Sequence, residues 1–212
     1  MFGFLRRRGL ETRDVPLSGS TFALADIFGV TSAAAGIAVT PATAMRSTPV
    51  RCAVQTIAEA IGQLPVHVHQ RQADGSKVRA TDHPTYALLR DEANDWTSAS
   101  DFFEQVTRDA LLHGNGFAFI NRVDGEAREL IRLDPTAIAV ERDSRTGEPL
   151  YKVTEANAQR YVDRRDIIHI KAPSLDGVSG ASPVKLGQEA IGLALVMEQH
   201  AAKLFANGAR PS

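Results

Sequence analysis

The sequence predicts an α+β fold: helices and mainly antiparallel strands in one mixed body, followed by one long C-terminal helix. Three observations carry this. Helical apolar periodicity dominates residues 48–64 and 98–113. Short alternating segments parted by tight turns fill residues 116–172. A single periodic stretch then runs from Ser182 to Asn207. Short turns between alternating segments favour antiparallel pairing over a parallel α/β sheet.

The elements follow in order. In "STPVRCAVQTIAEAIGQLP" Thr48 serves as N-cap and Pro49 suits the first helical position. Val50, Val54, Ile57, Ile61 and Leu64 recur at spacings of four and three and define its apolar face. Gly62 and Pro65 close it, and Cys52 is expected as a buried thiol. "VHVHQRQ" alternates as a strand, "ADGS" turns, and "KVRAT" returns as a hairpin. "DHPTYALLRDE" reads as a short helix capped by Asp82. "TSASDFFEQVTRDALLHG" reads as a longer one, with Ser98 as cap and Asp101 at the positive end. Phe102, Val106, Ala110 and His113 form its stripe, widened by Phe103, Leu111 and Leu112. Five strands follow: "GFAFINR", "ARELIRL", "AIAVERD", "LYKVTEA" and "DIIHIKA". The last helix has Ser182 as N-cap and Pro183 at its first position. Leu186, Ala190, Leu193, Met197, Ala201 and Leu204 form its stripe, and Asn207-Gly208 ends it. A rod of about 23 residues is roughly 34 Å long.

Composition bounds the function. Lys and Arg number 24 against 25 Asp and Glu, so no overall basic field advertises nucleic acid, although a local patch remains open. One cysteine excludes an intramolecular disulfide and a cysteine-based zinc cluster. "MFGFLRRRG" and the apolar run from Phe22 are separated by mostly polar residues, and Asp26 interrupts the run, so the N-terminus reads as a flexible arm rather than a signal peptide or a membrane span.

Each chemically suggestive group has a plain structural alternative. Gly114-Asn115-Gly116 could cradle a phosphate. But the order is helix, loop, strand, so the negative helix end faces the loop, and no Lys-Ser/Thr follows. A helix C-cap at Gly114 with positive φ is the expectation. His67 and His69 share one strand face and could bind a metal with His83. They equally suit a solvent-facing strand with Val66 and Val68 turned inward. Asp163, Asp166 and His169 could form an acid–base set, or a charged turn entering a strand. "DGVSGASP" lacks a nucleophile elbow and simply feeds Ser182. No catalytic, cofactor or metal residues are assigned.

The series "TPATAMRSTPVRCAVQTIAEAIGQLPVHVH", "DHPTYALLRDEANDWTSASDFFEQVTRDALLHGNGFAFINR", "LIRLDPTAIAVE", "DIIHIKAPSLDGVSGASPVKLGQEAI" and "FANGARPS" resembles portal proteins of tailed bacteriophages, of the HK97-like type. That family also serves prophages and gene transfer agents. The resemblance runs from about residue 38 to the end. It implies a dodecameric ring at one capsid vertex, through which double-stranded DNA passes non-specifically. It also implies, as partners, the major capsid protein, the terminase large subunit and a head–tail connector, with no membrane, no cofactor and no enzymatic activity. Such particles assemble in the bacterial cytoplasm. Mapped here, residues 1–45 form the arm, 46–181 the wing domain, 182–207 the first stem helix and 208–212 the start of the clip, whose remainder lies beyond this chain. Lys185, Glu189, Gln199, His200 and Lys203 lie off the stem stripe; some are candidates to face DNA, the alternative being that they pair with neighbouring subunits or water. The alternatives are an adaptor or scaffold module of a particle assembly and, further off, a metal-dependent hydrolase.

Overall fold

The computed structural model describes residues 33–155 and 158–208. The expected N-terminal arm falls mostly outside them. Its described part, from Ala33, is packed: Ala33 and Ala44 are buried, and Thr40 and Thr43 cap the short helix α1, Pro41–Ala44, reciprocally.

Helix α2 spans Thr48–Gly62. Its N-cap is Ser47, one residue earlier than expected, so Thr48 and Pro49 both lie inside the first turn. The apolar periodicity points the other way from burial. Val54 is buried, but Ile57, Ile61 and Leu64 are 47%, 42% and 60% exposed. The packed side is Val54, Ala58 and Gly62. Small residues let two helix backbones approach. A Cβ on Gly62 would stand 2.9 Å from the Ser100 carbonyl. Cys52 is exposed, which corrects the buried-thiol expectation.

A hairpin follows, β1 His69–Arg71 and β2 Lys77–Arg79. It is shorter than its alternation implied, and His67 precedes the ladder. Helix α3, Thr85–Arg90, has Pro84 at the cap position and no side-chain cap bond. Asp82 instead lies 3.4 Å from the Thr81 hydroxyl, and His83 Nδ1 accepts from the Thr85 N–H. Strands β3, Glu92–Asn94, and β4, Thr97–Ser98, form a tight hairpin. Asn94 pins it, donating to the Leu130 carbonyl and accepting from the Trp96 N–H. Trp96 stands 71% exposed at its tip.

Helix α4, Ala99–His113, follows the sequence closely. Ser98 accepts from the Asp101 N–H, Phe102, Val106 and Ala110 are buried, and Gly114 ends it at φ +87. Buried Asp109 binds Arg132 through two bonds of 2.6 and 2.8 Å.

Strands β5 (Asn115–Val123), β6 (Glu126–Leu133) and β10 (Ile167–Lys171) form one antiparallel sheet in the order β10-β5-β6. Strands β7 (Ile138–Arg142), β8 (Pro149–Glu155) and β9 (Ala158–Val162) form a second. The mixed α+β class with antiparallel strands therefore stands. Strand β9 went unread because its residues are exposed except Val162. The pleat of β5 serves two cores. Ala118 joins Leu88, Phe102, Val106 and Leu130 on the helical side. Phe117 joins Ile138, Tyr151, Val153 and Ile167 on the side of the second sheet. The β5 sheet is thus the middle layer.

The C-terminal helix is not one rod. Ser182 and Pro183 open the short α5, Pro183–Leu186, and Gly187 interrupts the chain before α6, Gln188–Ala206. The apolar stripe lies on the outside: Leu186, Leu193 and Met197 are 68%, 55% and 62% exposed. The buried residues are Gly192 and Leu195. A Cβ on Gly192 would lie 2.6 Å from the Ala33 Cβ, so the missing side chain seats the incoming chain.

Candidate functional site

Two features converge on α6: the joint that anchors its start and the apolar surface it leaves uncovered.

The joint is built at Gly114-Asn115-Gly116. The Gly114 carbonyl accepts from the Ala172 N–H at 2.9 Å. Asn115 grips Gly180 twice. Its Oδ1 accepts from the Gly180 N–H at 2.7 Å, and its Nδ2 donates to the Gly180 carbonyl at 3.2 Å. Because that Oδ1 is an acceptor, His169 Nε2, 2.9 Å away, carries the proton and donates to it. His169 Nδ1 then accepts from the Tyr151 hydroxyl at 3.2 Å. The ring also stacks on Phe117. Burial, and then the Lys171 charge, push the His169 pKa down to about 4, which keeps this neutral form.

Beyond Gly180, the Ser182 hydroxyl donates to the Leu112 carbonyl at 2.8 Å and accepts from the Lys185 N–H. One side chain therefore closes the open end of α4 and caps α5. The intervening loop is stiffened by Asp176. Its carboxylate accepts from the Val178 and Ser179 N–H groups and from the Ser179 and Ser174 hydroxyls, which hold its pKa well below the usual carboxylate range. Lys171 closes the loop by donating to the Gly177 carbonyl.

Gly114 and Gly180 meet main chain to main chain. A Cβ on Gly114 would stand 2.5 Å from the Gly180 carbonyl and 2.6 Å from the Ser182 nitrogen. Gly116 is pressed against the Val106 main chain, so it lets β5 approach α4. The glycines of the corner make room for protein, not for phosphate. Gly208 takes φ +65 past α6.

The other singled-out residues disperse. Asp163 caps the 3-10 turn Arg164–Asp166, Asp166 pairs with Arg122 at 2.9 Å, and His169 belongs to the joint. They do not meet. His67 and His69 stand 6.3 Å apart between ring centroids, and no cluster of three metal-ligating groups occurs among the described residues. His67 Nε2 lies 3.4 Å from Arg79, so its proton sits on Nδ1, which has no partner among the described residues. Glu189 accepts from the Ala34 N–H at 2.7 Å. Lys185, Gln199, His200 and Lys203 are exposed. Sequence reading missed Gly180, the break at Gly187 and the seat at Gly192. A Gly at each position was the available signal.

On the α2–α6 side an apolar groove is lined by Val54, Ile57, Leu111, Val184 and Ile191, among others. Elsewhere on α6, Leu193, Met197 and Phe205 are exposed. Apolar side chains left open on one helix, beside an apolar groove, are the kind of surface that protein partners cover.

Comparison then places the chain. Its residues 48–212 match the model of the phage portal protein family, and the chain belongs to that family. It is 29% identical over 188 residues to a probable portal protein of Streptomyces phage phiC31, covering 84% of this chain and 41% of the relative. It is 29% identical over 166 residues to the portal protein of Enterobacteria phage HK97, covering 77% and 38%. Among solved structures, a chain from the neck of a native gene transfer agent particle, computed with C12 symmetry, is 27% identical with a TM-score of 0.61. That match covers 80% of this chain and 45% of the other. The chain thus spans about two fifths of the length of these curated relatives. No described helix is long and apolar enough to cross a membrane.

Proposed function

We propose that this chain is a portal vertex subunit of a phage-like particle, a structural protein rather than an enzyme. Residues 46–181 act as the wing, 182–207 carry the first stem segment, and 208–212 begin the clip. Copies of the chain assemble side by side into a ring, with twelve the expected number, and duplex DNA passes through it without sequence recognition. The major capsid protein, the terminase large subunit and a head–tail connector dock on that ring, which is assembled in the bacterial cytoplasm.

One observation carries this reading: the apolar stripe of α6, with Leu193 and Met197 more than half exposed, while the same helix buries only Gly192 and Leu195. In a lone subunit that arrangement costs solubility; in a ring, a neighbour covers it. The symmetric neck of the similar structure supports the ring. The near-balance of charge suits a conduit that should not grip phosphates. Lys185, Glu189, Gln199, His200 and Lys203 remain the channel and interface residues of this proposal.

The test is mass measurement of the native assembly alongside the double variant Leu193→Asp/Met197→Asp. Rings for the native protein and smaller species for the variant, with unchanged circular dichroism, support the reading. Native protein that stays monomeric at assembly concentrations, or a variant that forms rings as well as the native chain, refutes it.

A further inference from the structure

The β1–β2 ribbon carries a charge pattern its own fold does not need. His69 lies opposite Arg79, and Arg71 lies opposite Lys77. Directly paired residues project from the same side of a pleat, as do residues two apart. One face therefore presents His69, Arg71, Lys77 and Arg79. His67 extends the row, with its Nε2 3.4 Å from Arg79. Gln70 and Val78 occupy the opposite face.

This pattern opposes folding. Like charges directly across a ladder destabilise it, and a two-stranded ribbon is marginal alone. Every residue of both strands is exposed. Among the described residues no ion pair reaches Arg71, Lys77 or Arg79. Asp74 is held in its own turn by the Ser76 N–H and hydroxyl. Asp82 lines an open pocket beside Arg79 and His69 without pairing with either. Local desolvation, then Arg79, Arg90 and His69, push the His67 pKa down, which agrees with a positive field at the base of the ribbon.

The chemistry of the face selects its partner. Protein partners bury a centre depleted in charge and rich in apolar groups; this face has no apolar residue. Surfaces that meet nucleic acid are polar and strongly positive. Cations two residues apart repeat every ~6.8 Å along a strand, and a two-stranded ribbon is narrow enough to enter a major groove. We propose that the face carrying Arg71, Lys77 and Arg79, flanked by His67 and His69, binds the phosphate backbone of duplex DNA without sequence preference, at a place separate from α6. The assignment needs no ring, so it stands or falls independently of the portal reading.

The test is fluorescence anisotropy of the full chain with a short random-sequence DNA duplex across a salt series. Three phosphate contacts predict a log–log salt slope near −2.7, which is about a 40-fold loss of affinity between roughly 50 and 200 mM salt. The triple variant Arg71→Ala/Lys77→Ala/Arg79→Ala should lose this binding while its melting temperature stays the same or rises, because the repulsion between Arg71 and Lys77 is removed. Arg142→Ala/Arg145→Ala, at the end of β7 and in the turn that follows it, should keep it. Unchanged affinity and slope in the triple variant, or no binding by the native chain at the lowest salt, overturns the proposal. So does poly-glutamate displacing the duplex and itself losing affinity in the triple variant, which would mark an acidic protein as the partner.

Discussion

Replacing Gly114 with alanine tests the joint most directly, because two separate costs can be worked from its geometry. The residue sits at φ +87, a left-handed conformation that costs an L-residue about 1–2 kcal/mol. The added Cβ would also stand 2.5 Å from the Gly180 oxygen, 2.6 Å from the Ser182 nitrogen and 2.8 Å from the Ala181 carbonyl carbon. All three are main-chain atoms, so no side chain can swing away. The loop must move, at a cost of about 1–3 kcal/mol. Together these give about 2–5 kcal/mol, a large share of the ~5–15 kcal/mol that holds a typical domain. Gly75→Ala is the control. Its φ is +86 and its Cβ would meet nothing within 4 Å, so it pays the first cost alone. Urea unfolding of both variants should separate them by about 1–3 kcal/mol. Equal losses would show that Gly114 is needed only as a left-handed cap and that the joint is loose. Gly114→Val should be worse than alanine and should damage folding or ring assembly, with no change in nucleotide binding.

Three further outcomes are expected. The folded His169 pKa lies below its unfolded value, so between about pH 4 and 6.5 the unfolded chain binds more protons and stability rises with pH. With allowance for its partial exposure, acidification across that window should cost on the order of 1–2 kcal/mol. Urea titrations at both ends should show this, and His169→Asn should flatten that part of the profile. Asp109→Ala removes the buried member of the Arg132 pair and should cost about 2–3 kcal/mol in the same assay, with Arg132 free to turn to water. Asn115→Ala removes both bonds to Gly180 and the acceptor for His169, and should raise amide exchange across residues 172–181 while leaving α4 protected.

Much of this was legible in the sequence where local chemistry and burial agree. Ser98, Asp101 and Gly114 bracket α4 because caps and left-handed glycines act within one turn of chain. The polarity argument against a phosphate loop also needed only chain order. Hydrophobic periodicity did not tell which helix faces the chain itself covers. In α2 and α6 the largest apolar side chains face outward, while Ala58, Gly62 and Gly192 mark the packed sides. Periodicity finds the apolar face of a helix but not which protein covers it. Cys52 was misplaced for the same reason. The break at Gly187 was missed because the apolar spacing runs through it unbroken. The ribbon's charge ladder needed a register, which fixes Arg71 opposite Lys77. The His169–Asn115 contact joins residues 54 positions apart, beyond the reach of any local rule.

The meeting of Gly114 with Gly180 has a consequence for how such chains can diverge or be recombined. Where two backbones touch, the requirement is on the absence of atoms, not on any chemical group. The two positions are therefore a matched pair. A chimera that takes its 99–123 segment from one relative and its 172–182 loop from another inherits a working joint only if both donors left the same space empty. Asn115, by contrast, holds that loop only through the main-chain N–H and carbonyl of Gly180, so it places no demand on the side chains of the donor loop.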